Sequence, residues 1–564
     1  MIFGTNKKEL IQNQINSNFY NINCEKSLLV DDHIVIFSGK LFNLKEIKNN
    51  LMEHGKIFKT GKDEEVILKY YLELGNEAFN NLLGEFIVII IHDNEIKIFR
   101  DPLGLKPFFY AYRDNNLYFA SKLSDLLPLI GETIVDNIGL CELLGMGPGH
   151  TPGKTVYKDV FELRGGYCLT YKGELEVKPY FKLIPEKYTY SQPLTVKITK
   201  DLVESSIDNT LEYIKDPSIL VSGGLDSSVI SSYIARKRKL DTISMDYENS
   251  NADFKGNDFL VSHDQEYVKY LLEKYPTNHE TVVINNKELA NVLGKMVELR
   301  DYPGMADVDS VLYLLLNKIQ DRHHDVITGE ISDEIFGGYP WYYRDTKGEL
   351  FPWLRNLDVR LDLLKPELKD KLNIKEYITD RYHELVKEVP LLDEFTEEEK
   401  NEHILYYLNV YSFLPTLIYR NSQMALEADL SLYVPFGDMR LIKFLYNVPF
   451  KYKFYNNQEK ALLREAFKDL LPVEILNRKK SPFPKTMSPI YKEEVKKLLK
   501  EAILDEKSIL HDLFDIEKVN SLLVEDDFDR PWYGQLMTKP QLMAYLYQIH
   551  YWGKKYNIKL NIKK

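Results

Sequence analysis

The sequence has very few cysteines. Its 564 residues include three, Cys24, Cys141 and Cys168, which are far apart and form no CxxC pair. A disulfide framework or a structural zinc site needs several cysteines at close, regular spacing. The sequence therefore argues against both, and we expect the three thiols to pack as small apolar side chains.

A long apolar run is also missing. The longest candidate, FIVIII at 86–91, has the length of a strand, whereas a membrane-spanning helix needs about 20 apolar residues. The first residues, MIFGTNKKELIQNQ, lack the apolar core of a signal peptide. These absences predict a cytoplasmic protein that does not associate with a membrane.

An excess of positive charge is the third feature that the sequence lacks. It has 73 Lys and Arg residues against 85 Asp and Glu residues, a formal charge of −12. Proteins that bind nucleic acid neutralise phosphates with clustered basic side chains. The composition therefore argues against a nucleic-acid partner, a tRNA substrate included, and the basic run ARKRK at 235–239 is more typical of a solvated surface.

The length and the apolar pattern indicate two domains, because 564 residues are too many for one compact core. Residues 1–185 combine short strands, glycine turns and a few helical patterns, which predicts an α+β domain. The stretch 182–193 contains prolines and no periodicity, and we predict that it is a linker. The predicted strands are HIVIFSG (33–39), EFIVIII (85–91), EIKIFRD (95–101), LYFAS (117–121) and YCLTYKGELEV (167–177).

From about residue 194 long amphipathic helices alternate with a few apolar strands. SILVS (218–222), DTISM (241–245) and DVITG (325–329) are short apolar runs, as in a buried parallel sheet. We therefore predict a doubly wound parallel α/β domain with extra helices over residues 194–564. Ligands of such sheets bind beyond the carboxyl ends of the strands.

The stretch ILVSGGLDSSV at 219–229 joins the first of these strands to a helix. Gly223 and Gly224 allow a sharp turn and a close approach to a ligand. Asp226 lies near the helix start, where unpaired N–H groups attract anions such as phosphate. The loop has neither the Walker P-loop spacing nor a GxGxxG pattern. It resembles the pyrophosphate loop of the ATP pyrophosphatase superfamily, whose members cleave ATP to AMP and pyrophosphate; a plain strand-to-helix turn with a polar cap is the alternative.

The stretch TGEISDEIFGGY at 328–339 follows the third strand in the same way. It places Glu330, Asp333 and Glu334 at a strand end, ahead of a Gly-Gly turn. Carboxylates beside a phosphate loop fit a bridging Mg²⁺, which accepts one or two carboxylates plus phosphate oxygens. For this segment alone an acidic surface turn is an equal alternative, and the conjunction of the two motifs favours the metal.

A third cluster, at 459–483, is basic. Its residues would form a solvated helix face in most proteins. In a site that produces pyrophosphate its lysines would neutralise the charge that grows on the β-phosphate as the bond breaks. The cluster consists of Lys460, Arg464, Arg478, Lys479 and Lys480.

Segments of the second half, in one order, resemble the synthetase domain of asparagine synthetases. The synthetase motifs are SGGLDSS (222–228), GEISDEIFGGY (329–339), VPFGDMRLIKF (434–444), EKALLREAF (459–467) and NRKK (477–480). YPGMADVDS (302–310) and RPWYGQLMTKPQLMAYL (530–546) are similar to a bacterial subgroup of that family. The resemblance implies an adenine nucleotide alpha hydrolase-like fold for residues 194–564.

Segments of the first half resemble the class II glutamine amidotransferase domain. They are LLGEF (82–86), RDPLGLKPFFY (100–110) and LYFASKLSDL (117–126). This resemblance implies an Ntn-hydrolase-like αββα sandwich for residues 1–185. Together the two resemblances cover nearly the whole chain.

The resemblance implies a reaction in two steps. A carboxylate attacks the α-phosphate of ATP to give an acyl-adenylate and pyrophosphate, and ammonia or another amine then displaces AMP to form an amide. Glu330 occupies the place of a glutamate that handles the proton of the incoming nitrogen, where β-lactam synthetases have tyrosine. By motif, the ATP-binding residues are Leu220, Ser222, Gly223, Gly224, Asp226, Ser227, Met245, Gly329 and Lys460, the Mg²⁺ ligands are Asp226 and Asp333, and the catalytic residues are Glu330 and Lys480.

The first domain departs from the pattern of active amidotransferases. Those enzymes begin with cysteine after the initiator methionine is removed, because the thiol attacks glutamine and the free α-amine serves as its base. Here the second residue is Ile2, and Cys24 lies inside the chain without a free α-amine. Residues 38–40 read Ser-Gly-Lys in place of the asparagine-glycine-glutamate that binds glutamine, although Asp63 is retained. We therefore expect this domain not to hydrolyse glutamine.

The second domain departs from its relatives at DLSLYVPF (429–436), where they usually have GLEVRVPF. Ser431 and Tyr433 stand at the positions of an acidic and a basic residue, and a guanidinium is the group that binds a carboxylate through two parallel hydrogen bonds. This departure puts aspartate in doubt as the substrate.

The sequence predicts an ATP- and Mg²⁺-dependent ligase that adenylates aspartate or a related acid and then forms an amide with ammonia or an amine. One alternative is a conventional asparagine synthetase that uses free ammonia. Another is a pseudo-synthetase that binds nucleotide without catalysis. The oligomeric state stays open, a homodimer included.

Overall fold

The computed structural model divides the chain into two compact units. Unit 1 comprises Met1–Gly139, His150–Ile184 and Lys559–Asn561, and unit 2 comprises Leu140–Gly149, Pro185–Ile558 and Ile562–Lys564. The predicted domains follow chain order, whereas residues 140–149 belong to unit 2 and residues 559–561 to unit 1. The structure describes residues 2–7, 15–16, 20–250, 263–344, 350–354, 356–481, 485–526, 528 and 531–563.

The strands of unit 1 form two antiparallel sheets and one short parallel pair. They are β1 (Ile2–Thr5), β2 (Ile15–Asn16), β3 (Asn21–Cys24), β4 (Leu28–Val30), β5 (His33–Leu41), β6 (Gly84–His92), β7 (Glu95–Arg100), β8 (Phe109–Arg113), β9 (Asn116–Ala120), β10 (Ile134–Asp136), β11 (Val160–Glu162), β12 (Tyr167–Tyr171), β13 (Leu175–Pro179) and β19 (Lys559–Asn561). The first sheet has the order β11-β8-β9-β1-β3-β2 and the second the order β13-β12-β7-β6-β5-β4, and β10 pairs with β19 in parallel.

Strand β6 is buried on both faces, which explains why its sequence is apolar without alternation. Ile87 and Ile89 lie in the core that residues of both sheets form, and Val88 and Ile90 lie in the core on the opposite face of the second sheet. Successive residues of a strand point to opposite faces, so a strand buried on both sides needs apolar residues throughout.

Helices cover the outer faces of the two sheets. Residues of α1 (Leu44–Glu53) and α2 (Asp63–Leu74) share a core with the second sheet. The first sheet is in contact with α3 (Leu123–Ile130) through β9. The layers run helix, sheet, sheet, helix, which confirms the predicted αββα sandwich.

Among the residues that the structure describes, unit 2 contains one parallel sheet of five strands. They are β14 (Ser218–Leu220), β15 (Asp241–Tyr247), β16 (Asn278–Ile284), β17 (Asp325–Ile327) and β18 (Ser431–Tyr433). The order is β16-β15-β14-β17-β18, and every neighbouring pair is parallel. The three predicted strands form the centre, which confirms the doubly wound sheet. Since β15 and β17 lie on opposite sides of β14, the carboxyl end of β14 is the switch point where such sheets bind ligands.

Helices surround this sheet. The helix α4 (Asn137–Cys141) crosses the boundary between the units in the chain, and unit 2 continues with α5 (Gln192–Leu211), α6 (Leu225–Ala235), α7 (Asp264–Lys274), α8 (Asn286–Asn291), α9 (Leu293–Arg300), α10 (Asp307–Ile319), α11 (Ser332–Phe336), α12 (Leu357–Leu361), α13 (Pro366–Leu372), α14 (Ile374–Lys387), α15 (Glu397–Leu408), α16 (Leu414–Glu427), α17 (Met439–Asn447), α18 (Phe450–Lys453), α19 (Ala461–Ala466), α20 (Val473–Asn477), α21 (Pro489–Leu504), α22 (Leu510–Leu513), α23 (Ile516–Ser521) and α24 (Lys539–Lys555). Within the described residues, no helix combines the length and the apolar character that crossing a membrane requires.

A buried ion pair organises the segment RDPLGLKPFFY in unit 1. Arg100 donates from Nη1 to Glu162 Oε1 at 2.7 Å and from Nη2 to the carbonyl oxygen of Gly104 at 2.7 Å. His150 Nε2 lies 2.9 Å from the other carboxylate oxygen of Glu162. Burial raises the pKa of the Glu162 carboxyl, but Arg100 and His150 outweigh burial and hold the pKa at about 2. The arginine of this motif therefore has a structural role.

Glu162→Gln is expected to destabilise unit 1 by about 3 kcal/mol at pH 7, because it leaves the buried Arg100 without its charged partner. The folded-state pKa is below the ordinary 4.5, so the ionised carboxylate contributes stability above that pH and loses the contribution as the pH falls towards 2. Urea unfolding of both proteins at several pH values measures this. The difference between them should shrink below pH 4.5, and a constant difference would contradict the ion-pair explanation.

Candidate active site

A cavity of about 260 Å³ lies in unit 2 at the carboxyl ends of β14, β15 and β17. It is lined by the loop after β14, the acidic turn after β17, parts of α10 and α16, and the segments 459–464, 478–481 and 534–536. Every residue predicted for the site except Gly223 lines this cavity. The structure thus brings together motifs that lie up to 260 positions apart in the chain (Leu220 to Lys480).

The glycine loop after β14 is held by its own serines. The backbone N–H of Ser222 donates to Ser227 Oγ at 3.4 Å, and that of Gly224 donates to Ser222 Oγ at 3.3 Å. A Cβ built on Gly224 would meet Ser222 Oγ, at 3.1 Å, as its one close neighbour in the described residues. The loop leads directly into the first turn of α6, whose N–H groups and dipole favour a phosphate.

Gly223 makes the predicted sharp turn and also packs closely against a helix. Its φ is +63°, and a Cβ there would lie 2.4 Å from the Cβ of Tyr267 in α7. The close packing against α7 therefore requires glycine at this position. Gly223 itself does not line the cavity. Gly329 also serves packing, since a Cβ at that position would lie 2.8 Å from the backbone nitrogen of Ser227.

Lys460 connects the glycine loop to the acidic turn. Its Nζ lies 2.6 Å from Asp226 Oδ2 and 2.7 Å from Asp333 Oδ1. Ser332 Oγ donates to the other oxygen of Asp226 at 2.7 Å. A Cβ at Gly338 would lie 1.9 Å from Asp333 Oδ1, so the Gly-Gly turn makes room for this carboxylate.

The charged groups of this cluster stabilise one another's ionised forms. Burial raises the pKa of the Asp333 carboxyl, but Lys460 and Lys480 outweigh it and keep the pKa below its ordinary value. Burial lowers the pKa of Lys460, but Asp226 and Asp333 reverse this and raise it. Both groups are therefore ionised at neutral pH. Glu334 differs, since burial and the charge of Asp333 raise its pKa to about 7.

Lys480 is held at both its side chain and its backbone. Its Nζ lies 3.3 Å from Asp333 Oδ2, and its backbone N–H donates to Glu459 Oε1 at 2.7 Å. Arg464 donates from Nη2 to the same oxygen of Glu459 at 2.7 Å and to the carbonyl oxygen of Arg478 at 2.9 Å. The buried pair of Glu459 and Arg464 thus fixes the segment NRKK against the cavity.

Arg478 supports the glycine loop from outside. It donates from Nη1 to the carbonyl oxygen of Ser222 at 2.8 Å and from Nη2 to Asp264 Oδ1. Its guanidinium also lies 4.1 Å from the ring centre of Tyr267, the side chain against which Gly223 packs. The sequence predicts a phosphate contact for this basic cluster, whereas Arg478 makes these structural contacts within the protein.

Glu330 is bound by two side chains that the sequence did not single out. Arg420 Nη2 donates to Glu330 Oε1 at 3.1 Å, and Asn421 Nδ2 donates to Glu330 Oε2. Burial raises the pKa of Glu330, and the charge and hydrogen bond of Arg420 act in the opposite direction. The side chain of Glu330 is 28% exposed and lines the cavity, so its carboxylate can reach a ligand.

The backbone beside Glu330 is strained. Ile331 has a φ of +74°, which a β-branched residue rarely adopts. Lys460 also lies in the left-handed region, with a φ of +53°. Such conformations cost about 1–3 kcal/mol each and persist where the surrounding structure imposes them, often at functional sites.

Ser431 and Tyr433, the two departures noted in the sequence, lie on strand β18. Tyr433 is buried, and its hydroxyl donates to Asp325 Oδ1 at 3.1 Å. Leu432 between them lines the cavity, and neighbouring residues of a strand point to opposite faces. Guanidinium groups do line this cavity, but they come from other elements, namely from Arg420 in α16, Arg464 in α19 and Arg478.

The donor set near the glycine loop suits a hard divalent cation that also binds phosphate. Asp226 and Asp333 each place a carboxylate oxygen against the same Lys460 Nζ, at 2.6 and 2.7 Å, so the two carboxylates lie close together. Within the described residues no group of three or more His, Cys, Asp or Glu side chains could hold a metal. Mg²⁺ commonly uses one or two carboxylates and completes its shell with water and substrate phosphates, so these two residues fit that mode.

Comparison with protein families agrees with both units. The family described as asparagine synthase matches residues 199–554, and the glutamine amidotransferase domain matches residues 28–181. The protein named asparagine synthetase (glutamine-hydrolyzing) 3 of Bacillus subtilis is 36% identical over 544 residues, which cover 94% of this chain and 88% of that protein. The chain therefore belongs to the asparagine synthase family of ATP-dependent ligases, as the sequence motifs predicted.

Other relatives are more distant. Asparagine synthetase (glutamine-hydrolyzing) 1 of Bacillus subtilis is 25% identical, over 84% of this chain and 79% of that protein. Among solved structures, the glutamine phosphoribosylpyrophosphate amidotransferase from B. subtilis is 13% identical and aligns over 44% of this chain and 61% of that chain. Its TM-score of 0.21 is too low to support an argument about the fold.

Proposed function

We propose that the protein adenylates a small carboxylic acid with ATP, releases pyrophosphate and then forms an amide with ammonia or an amine, without hydrolysing glutamine. The observation that carries this proposal is the chain of ionic contacts from Asp226 through Lys460 and Asp333 to Lys480. It runs beside a glycine loop at the switch point of a parallel sheet and shares its cavity with a second acidic centre, Glu330.

In the first step a carboxylate oxygen of the acid bonds to the α-phosphorus, and the bond from that phosphorus to the bridging oxygen of pyrophosphate breaks. The electron pair leaves with pyrophosphate. The loop at Ser222 and Gly224 and the N-terminal turn of α6 suit the pyrophosphate, and Lys460 and Lys480 offset its growing charge. Asp226 and Asp333 would hold Mg²⁺, which supplies further positive charge to phosphate oxygens when it is bound.

In the second step the nitrogen of ammonia or an amine bonds to the acyl carbon, and the bond from that carbon to AMP breaks. The nitrogen must lose a proton to end as a neutral amide. Glu330 lines the cavity, takes no part in the ionic contacts of Lys460 and Lys480, and is held by donors at both oxygens. We assign it the role of accepting this proton.

The identity of the acid is a separate question. ATP–pyrophosphate exchange across a panel of carboxylic acids tests it, because exchange reports adenylation before any amine is needed. Exchange with aspartate would favour a conventional asparagine synthetase that uses free ammonia. Nucleotide binding without exchange for any acid would overturn the proposed activity and favour a pseudo-synthetase.

The state of the thiols in unit 1 supports the absence of glutamine hydrolysis. Burial raises the pKa of Cys24, and it raises that of Cys168 to about 12, whereas a nucleophilic cysteine needs its thiolate. All three cysteines are buried residues within the chain, so none has a free α-amine as its base. Ile2 is itself buried and pairs with Cys24 across β1 and β3.

We therefore expect the purified protein to release no glutamate from glutamine above background. Amide formation should instead require added ammonium or an amine. A glutaminase assay in the presence of ATP and the acid measures this, and a relative that is named glutamine-hydrolyzing provides the positive control. Glutamate release that stays proportional to this protein through successive purification steps would contradict the expectation.

A further inference from the structure

Two adjacent residues of α16 grip the carboxylate of Glu330. Arg420 donates to Oε1 at 3.1 Å, and Asn421 donates to Oε2. The two side chains also bind each other, since Arg420 Nε donates to Asn421 Oδ1 at 3.1 Å. The three side chains therefore form a closed ring of hydrogen bonds, with one donor on each oxygen of Glu330.

This ring fixes a carboxylate whose backbone leaves little freedom. Glu330 is followed by the strained Ile331, with a φ of +74°, so its direction into the cavity depends on that turn and on its side-chain partners. An ionised carboxylate has about four lone-pair sites. Two donors hold Glu330 and leave acceptor positions for the proton of a nitrogen nucleophile.

The positive charge of Arg420 also opposes protonation of Glu330, which must be ionised to act as a base. The guanidinium is 4% exposed, so its interaction with Glu330 is screened little by solvent. Burial favours the protonated form of Glu330, and Arg420 favours the ionised form. Burial is the larger effect, so the pKa of Glu330 lies above its ordinary value, and Arg420 limits that increase while it holds the carboxylate in place.

The helix that carries Arg420 and Asn421 is preceded by a local irregularity. A π-helical turn, Asn409–Phe413, joins α15 to α16, and Phe413 and Leu417 line the cavity beside Arg420. Turns of this kind are rare and are found disproportionately at functional sites. The π-helical turn lies about two to three helical turns before Arg420.

We propose that Arg420 and Asn421 are positioning residues that hold the carboxylate of Glu330 in place for the amide-forming step. This inference rests on the proposed function. It assigns the two residues to the second half-reaction, so adenylation should be nearly independent of them. Neither residue belongs to the sequence motifs of the site.

Arg420→Met tests the inference because it removes the charge and all donors while keeping an unbranched side chain. We expect its ATP–pyrophosphate exchange to stay within about threefold of wild type, and its amide formation to fall by about 10²-fold, the lower end of a general-base contribution. Arg420→Lys should recover part of the loss through its charge. Asn421→Ala should show a smaller loss of the same kind.

Leu426→Ala serves as the control on the same helix, since Leu426 is exposed and lies outside the cavity lining. It should leave both half-reactions unchanged. The unfolding midpoint of each variant is measured alongside, and if Arg420→Met does not fold, Asn421→Ala with Arg420→Lys decides the question. An acid limb of the pH profile for amide formation that moves to higher pH in Arg420→Met would support the role of the charge.

Two results would overturn the inference. An increase in the KM of the acid during exchange, with the later step unchanged, would mean that Arg420 binds the acid instead. Normal rates of both half-reactions in Arg420→Met and Asn421→Ala would mean that neither residue matters to Glu330. Both results require exchange by the wild-type protein. If the wild type shows no exchange with any acid, the proposed function itself fails, and the inference fails with it.

Discussion

Asp333→Asn is expected to lower ATP–pyrophosphate exchange by about 10²–10³-fold, the scale of a lost electrostatic contact at a site of developing charge. Asp333 lies within 2.7 Å of Lys460 and 3.3 Å of Lys480, so one substitution changes the environment of both lysines and removes a proposed Mg²⁺ ligand. Because asparagine has nearly the same shape as aspartate, any loss of exchange reports the missing charge and not a change in packing. Asp226→Asn should behave in the same way.

The measurement is Mg²⁺-dependent exchange with the acid that the wild-type protein prefers. Asp301→Asn is the matched control, since Asp301 is a buried carboxylate of the same unit that accepts a hydrogen bond from Tyr556 at 2.8 Å and does not line the cavity. It should leave exchange unchanged. Near-normal exchange in both the Asp226 and the Asp333 variants would end the metal assignment, and an equal loss in the Asp301 variant would attribute the effect to the fold.

The sheets were predictable where burial alone determines the sequence. GEFIVIIIH becomes β6, buried on both faces, and the apolar runs of β14, β15 and β17 form the centre of the parallel sheet. Strand β16 (NHETVVI) lies at the edge of that sheet, and several of its side chains are partly or fully exposed. Strand β18 (SLY) lies at the other edge, and two of its three residues are only partly buried. Both strands were missed because edge positions impose no continuous apolar run.

The site was predictable where the backbone itself needs a particular residue. Gly223, Gly329 and Gly338 each lie where a side chain would meet a neighbouring helix, loop or carboxylate, and residues under such constraints form short motifs that can be recognised in a sequence. The side chains that contact those motifs are under no such backbone constraint and form no short motif of their own. Arg420 comes from the middle of a helix, and its charge has no local pattern that distinguishes it from a solvated arginine. Three-dimensional packing alone brings it to Glu330.

The departure at DLSLYVPF illustrates the same limit. From the sequence, Tyr433 indicates the loss of a basic residue and so of a means to bind an acidic substrate. In the structure Tyr433 is buried against Asp325, and a guanidinium from a different element, Arg420, lines the cavity. That guanidinium is bound to Glu330, so it does not replace the lost basic residue, and a position-by-position comparison of sequences reveals neither contact.

Glu330→Gln is expected to separate the two half-reactions. The variant keeps the shape of the side chain and removes the base, so amide formation should fall by about 10²–10⁴-fold, the range of a general-base contribution. Exchange should be retained substantially better, because Glu330 is absent from the ionic contacts that join Asp226, Lys460, Asp333 and Lys480. Single-turnover experiments with and without ammonium measure the two steps separately, and acyl-adenylate should accumulate or hydrolyse.

Lys480→Ala provides the opposite pattern within the same cavity. The Lys480 ammonium lies 3.3 Å from Asp333 and lines the cavity. Its loss should therefore impair exchange itself by about 10²-fold. A variant that affects the first half-reaction and one that affects the second therefore exclude a general loss of folding as the common cause. If Glu330→Gln reduced both half-reactions equally, with normal ATP affinity and an unchanged unfolding midpoint, Glu330 would have to act in binding or in metal coordination, and the proton-transfer role would be wrong.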